Sequence, residues 1–201
     1  MSLAPYPSHA RSLPLGPMRP FSVREYERMI ETGVLGEDDP VELLEGWIVF
    51  KMTRNPPHDV AVALASELLI RLLPAGWHVR SQSAITTPDS VPEPDLAVVR
   101  GNQRDYAARH PGPADVALAI EVADTSLGRD RSDKARVYAR GGIPAYWIVN
   151  LIDGVVEVYT DPSGPASGAD YRKCAAFPRG QSIPLEVAAR RFQIQVNDLL
   201  P

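Results

Sequence analysis

Cysteine is almost missing from this chain: Cys174 is the only one in 201 residues. A single thiol excludes an intramolecular disulfide and any cysteine-rich zinc site. It reads as a small, partly buried side chain. No apolar run is long enough to cross a bilayer, and no basic-then-apolar secretory signal opens the sequence. These features together point to the cytoplasm. No glycine-rich phosphate loop supports nucleotide binding. No serine–histidine or cysteine–histidine signature supports nucleophilic catalysis. No internal repeat and no recognisable DNA-reading module is visible. Positive charge is not in excess either. The net charge of −4 argues against a broad electropositive surface for nucleic acid, while leaving room for a local basic patch.

What is present is an ordinary globular composition, with 44% hydrophobic and 23% charged residues, enough for one domain with a sizeable core. The 20 prolines are densest between Pro5 and Pro20, so residues 1–20 read as a mobile leader and 21–201 as a single domain.

Ser22 and Glu25 form a capping-box pattern that predicts a helix from Val23 to about Thr32, stopped by Gly33. Val41 to Lys51 reads as a hairpin turning near Glu45-Gly46. Asn55-Pro56-Pro57 reads as a break, and Asp59 as the start of a long amphipathic helix ended by Pro74-Ala75-Gly76. Strands are expected over Trp77–Ile85, Pro94–Arg100 and Ala117–Ala123. Then come a polar loop to Arg129, a helix from Asp130 to Arg140 and an apolar central strand over Ala145–Leu151. Val155–Thr160 follows a tight turn at Asp153-Gly154, with short strands near Tyr171–Ala175 and Arg191–Val196. Helix and strand signals alternate, which favours an α/β fold: a mixed β-sheet with helices on its faces.

Two carboxylates at the margins of apolar strands are the most informative residues. Asp95 stands in Pro92-Glu93-Pro94-Asp95 just before Leu96-Ala97-Val98-Val99. Glu121 interrupts the run from Val116 to Ala123. A carboxylate in a buried strand is costly unless it is paired or holds a cation. Neighbouring strands would bring both onto one point, as a hard divalent cation such as magnesium requires. Each also has a structural reading, Asp95 as a turn carboxylate after proline and Glu121 as a strand-end residue or salt-bridge partner. Lys134 is the third candidate. Asp130, Lys134, Val137 and Tyr138 share one helix face, and the apolar pair directs that face at the sheet. Lys134 could stabilise negative charge at a phosphate or help activate water; an Asp130–Lys134 surface pair is the alternative. Arg129, Arg131, Arg136 and Arg140 make this the most basic segment, fit either to contact a phosphodiester backbone or to lie in solvent.

The ordered blocks Val41-Glu42-Leu43-Leu44-Glu45-Gly46, His58, Pro92 to Val99, Ile120-Glu121-Val122-Ala123-Asp124-Thr125-Ser126, Asp130 to Lys134 and Tyr138 to Asn150 carry a resemblance. The chain resembles the PD-(D/E)xK nuclease superfamily and, more closely, the Uma-type restriction endonucleases widespread in bacteria. The likeness covers about Arg19 to Pro201. It implies a restriction-endonuclease-like core over roughly residues 58–151. Asp95 and Glu121 would bind Mg2+ or Mn2+, with the Val122 carbonyl completing the site. The superfamily lysine, two residues after the second acid, is replaced here by Ala123, and in the resembling family Lys134 on the helix takes its place. Glu42 matches a position that reaches the metal or positions water, or else pairs with Lys51. His58 is a capping or packing residue or, alternatively, a catalytic or supporting one, and Gln82 is a support on a neighbouring strand.

These readings lead to a divalent-metal-dependent endonuclease that hydrolyses phosphodiester bonds, with DNA as the substrate. Asp95, Glu121, Lys134 and Glu42 are its expected catalytic residues, and Arg129, Arg131 and Arg136 its expected nucleic-acid contacts. A homodimer would suit cleavage of two strands, and no membrane association is expected. The rival reading is a catalytically inactive module of the same fold that binds nucleic acid or a protein partner.

Overall fold

The computed structural model describes residues 17–36, 39–166 and 168–201. Most of the leader expected over 1–20 lies outside the described residues. Residues 17–20 are exposed and belong to no helix or strand.

Helix α1 (Val23–Glu31) starts at the expected capping box: Ser22 Oγ accepts from the Glu25 amide, and the Glu25 carboxylate accepts from the Ser22 amide. It buries Tyr26 against the hairpin of β1 (Val41–Leu44) and β2 (Trp47–Phe50). The two hairpin-turn residues, Glu45 and Gly46, have φ of 51° and 81°, the left-handed pair a two-residue turn needs.

Helix α2 (Pro56–Leu72) begins three residues earlier than expected. Asn55 is its N-cap, accepting from the His58 amide, and the two prolines occupy the first turn. Proline is suited there because those amides have no helical acceptor in any case. The expected break is therefore a helix start.

The central sheet has six strands in the order β3–β4–β5–β6–β7–β8. They are β3 (Trp77–Ser81), β4 (Leu96–Arg100), β5 (Val116–Ala123), β6 (Ala145–Asn150), β7 (Val155–Pro162) and β8 (Tyr171–Pro178). Only β5 and β6 pair in parallel, which makes the sheet mixed as expected. Between them runs one helical crossover: α3 (Leu127–Arg129), a π-helical turn over Asp130–Lys134, and α4 (Ala135–Gly141). Gly142 closes it with φ of 77°. The hairpin of β9 (Ser182–Val187) and β10 (Arg190–Gln195) completes the fold. The expected strand through Ile85 stops at Ser81, because Gln82 turns away with φ of 48°.

The sheet divides two apolar clusters. On one face α2 and the β9–β10 hairpin cover Leu96, Leu118, Ile120, Trp147 and Val149. On the other, α4 covers Ala97, Ala119, Ala123, Tyr146 and Ile148. Strand β5, flanked on both edges, is buried along nearly its whole length, which is why it reads as an unbroken apolar run. Glu121 is the charged exception in it.

Candidate active site

In the antiparallel β4–β5 pair Leu96 faces Ile120. Asp95 immediately precedes Leu96 and Glu121 immediately follows Ile120, so the two acids stand at the same end of the pair. Asp95 is 9% and Glu121 6% exposed, so neither charge is left to bulk water. The Asp95 Oδ2 accepts from the Val122 amide at 2.8 Å and lies 3.1 Å from His58 Nε2. The Glu121 Oε1 accepts from Lys134 Nζ at 3.0 Å and from the Tyr138 hydroxyl at 2.7 Å.

Lys134 also donates to Glu42 Oε2 at 2.7 Å, and that oxygen accepts the Glu93 amide at 3.1 Å. The ammonium thus bridges β1 and β5 from the crossover helix. Glu121 and Ala123 lie on the same side of β5, so Lys134 brings its charge to the strand face that Ala123 shares. Asp130, one turn before it, is 3% exposed and accepts from Ser126 Oγ at 2.5 Å. The π-helical turn holds Asp130 and Lys134, both buried, over the same strand ends. Turns of this kind often mark functional sites.

Burial, the largest effect, pushes the Glu121 carboxyl up to about 8 despite Lys134 beside it. Burial likewise raises Asp130 to about 6, against the hydrogen bond from Ser126. Burial alone would lower Lys134, but Glu121 and Glu42 together raise it, so the amine stays charged. The hydrogen bond to Asp95 raises His58. Four buried carboxyls, from Glu42, Asp95, Glu121 and Asp130, therefore face one ammonium and one imidazole.

The raised Glu121 and Asp130 carboxyls mark a cluster with too little positive charge to keep all four acids ionised, and a divalent cation would supply it. The Asp95 and Glu121 carboxylates each have one oxygen taken by the protein contacts above, and the other has no protein partner among the described residues. Both residues line a cleft with Glu42, His58, Asp130 and Lys134. No three carboxylate, histidine or cysteine groups among the described residues form a cage by themselves. Magnesium does not demand one, since it keeps several waters and takes one or two carboxylates. Val122 lines the cleft, and the contact it makes to the site is its amide on Asp95.

The remaining expected residues divide. Arg129 lines the cleft and donates to the Phe50 carbonyl. Arg131 and Arg136 do not line it. Arg131 grips the Glu157 carboxylate through Nε and Nη2, and Arg136 is bidentate on Glu45 with a third bond to Asp133. Arg140 joins Glu45 to Asp89. Of the Gln82 contacts it is the amide that touches the site, donating to the Asp95 carbonyl at 3.0 Å. Sequence reasoning missed the Tyr138 hydroxyl, which read only as apolar. It also missed the bond from Asn55 to Asp124 that ties the start of α2 to the cleft wall.

A family described as "Uma2: Putative restriction endonuclease" matches residues 23–197. No curated protein matches the chain. Among solved structures, one described as "a putative nuclease belonging to DUF820 from Anabaena variabilis ATCC 29413" is similar in fold, with a TM-score of 0.64 at 16% identity. The likeness covers 90% of this chain and 97% of that one. Among the described residues, no helix is long and apolar enough to cross a membrane.

Proposed function

The chain belongs to the Uma2 family of restriction-endonuclease-like proteins, and from that footing we propose that it is a divalent-metal-dependent endonuclease acting on DNA. The observation that carries this reading is the meeting of Asp95, Glu121 and Lys134 at one end of β4 and β5. Asp95 and Glu121 would hold the cation, Mg2+ or Mn2+, with water and substrate oxygen in its remaining positions. When bound, such an ion lowers the pKa of a coordinated water and offsets charge on a phosphoryl oxygen.

The protein's own groups do the rest. His58 and the Val122 amide fix one oxygen of Asp95 and so aim the other. Lys134 and Tyr138 do the same for Glu121. Lys134 adds a fixed positive charge beside the reacting phosphate, where charge grows during attack. Glu42 holds that ammonium in place. Arg129, which lines the cleft, would meet the strand. A homodimer with two such clefts would cut both strands of a duplex, and the cytoplasm is where such an enzyme meets its substrate.

Asp95→Ala and Glu121→Ala should each abolish Mn2+-dependent cleavage of DNA while circular dichroism still reports a folded protein. Undiminished cleavage by either variant would rule out the assignment. A folded parent protein that binds DNA, takes up no metal and cleaves nothing would instead point to the inert binding module. The ion pair closing Lys134 between two acids is the feature that favours that second reading.

A further inference from the structure

The cleft is poorly suited to hold a polyanion by itself. Six carboxylates line it against four lysine or arginine residues, and two of those cations, Lys51 and Lys134, are held in ion pairs with Glu93, Glu42 and Glu121. A nucleic-acid strand reaching this site must draw its affinity from elsewhere. The helical arginines do not supply it, because Arg131, Arg136 and Arg140 are each paired with carboxylates.

A second basic cluster lies on β3, an edge strand of the sheet. Trp77 pairs with Arg100, His78 with Val99 and Arg80 with Ala97. Arg80 and His78 therefore stand on the same sheet face as Ala97 and Val99, the face that also carries Glu121, beginning two residues after Asp95 in the chain. Arg80 and Arg109 approach the Tyr106 ring to 5.8 and 4.9 Å from its centroid. Arg100 lies 5.2 Å from the Trp77 ring centroid. Tyr106 Oη donates to the Arg100 carbonyl and so ties the 3-10 turn Gln103–Tyr106 to the end of β4. Among the described residues Arg80, Arg100 and Arg104 form no ion pair, and Arg109 pairs with Asp115. Burial, followed by the Arg80 charge, depresses the nearby His110 imidazole. Arg80 Nε is buried with no hydrogen-bond partner. Uncompensated guanidinium groups beside aromatic rings are what a phosphodiester strand recognises, through charge and stacking.

We propose that the edge formed by β3, the end of β4 and the Gln103–Tyr106 turn is the track on which a nucleic-acid strand lies as it enters the cleft. This rests on the nuclease reading above. The run from Asp95 to Arg100 is about 17 Å at strand spacing, the axial length of about five phosphates on one DNA strand.

The test is fluorescence anisotropy of a short labelled DNA duplex, in chelator, over a range of salt. Arg100 and Arg104 are exposed and bear no ion pair, so the double variant Arg100→Glu, Arg104→Glu should fold, which a thermal melt checks. Its affinity should fall at least about tenfold, and the slope of log affinity against log salt should shrink by about 2. Arg80→Gln should weaken binding in the same direction. Arg172→Glu, on the opposite sheet edge at β8, should leave it unchanged. Equal affinity in the double variant and the parent overturns the track, and so does an equal loss in Arg172→Glu. Parent protein that binds phosphatidylserine vesicles but not DNA overturns it as well. Failure of the nuclease reading is seen separately, as absence of Mn2+-dependent cleavage by the parent protein.

Discussion

Tyr138 and Lys134 donate to the same oxygen of Glu121, one neutral group and one charged. Lys134 supplies charge. Tyr138, fully buried, supplies direction, because its ring is packed on Tyr146 of β6, which restricts its movement. Removing the hydroxyl alone should leave the fold intact and let the carboxylate turn. Tyr138→Phe is therefore expected to weaken Mn2+ binding by about 10- to 100-fold, the usual cost of losing a group that orients a metal ligand. Calorimetric titration measures this, and unchanged affinity would show that the hydroxyl only packs. At this scale the sequence was informative where a residue type conflicts with its surroundings. Glutamate in an apolar strand is conspicuous, and so is lysine on an apolar helix face. A tyrosine on that face is not, since its ring satisfies the pattern and hides the polar end. Asp130 was hidden in another way, because its spacing from Lys134 also suits an exposed pair.

Glu45 joins two elements that are far apart in the chain. Its carboxylate takes Arg136 and Arg140 of α4 while its backbone makes the left-handed hairpin turn between β1 and β2. The hairpin carries Glu42, so this link also holds the Glu42 end of the Lys134 bridge. The hydrogen bond from Arg136 is the main cause that holds the Glu45 carboxyl below its ordinary value, with burial opposing and Arg140 adding. A depressed carboxyl stabilises the fold above its unfolded pKa, and that contribution fades as pH falls through the folded value. Glu45→Gln should cost about 1–2 kcal/mol at neutral pH. The gap in melting temperature between parent and variant should close as pH falls below about 4. Thermal melts at neutral pH and near pH 3 decide it, and a gap that stays constant would mean the link contributes no charge energy.

Elements with local signals were legible: the capping box of α1, the Glu45-Gly46 turn and the glycine closing α4. Asn55-Pro56-Pro57 misled because the same residues that break a helix interior also suit its first turn. The strand expected past Ser81 failed because alternation continues in the letters after the backbone has turned at Gln82. The π-helical turn leaves no mark, since it differs from an α-helix in hydrogen bonding and not in residue type.

In the molecule as a whole, the acids at the ends of β4 and β5 are held by elements that cover opposite faces of the sheet. Helix α2 reaches Asp95 through His58, and the crossover helix reaches Glu121 through Lys134 and Tyr138. Both faces carry their own apolar cluster. Neither layer can peel away without releasing one of the two acids. A bound cation would therefore act on both layers together, and its effect would not be confined to a loop. At 100 times its dissociation constant a ligand adds about 2.7 kcal/mol to stability, or roughly 5–10 °C for a chain of this size. Mg2+ or Mn2+ should raise the midpoint of one cooperative melt by that amount, and Asp95→Ala should abolish the rise; separate transitions would mean the layers unfold independently. Clamping the acid pair from above and below thus turns heat resistance into a gauge of cation occupancy, readable with no substrate in the tube.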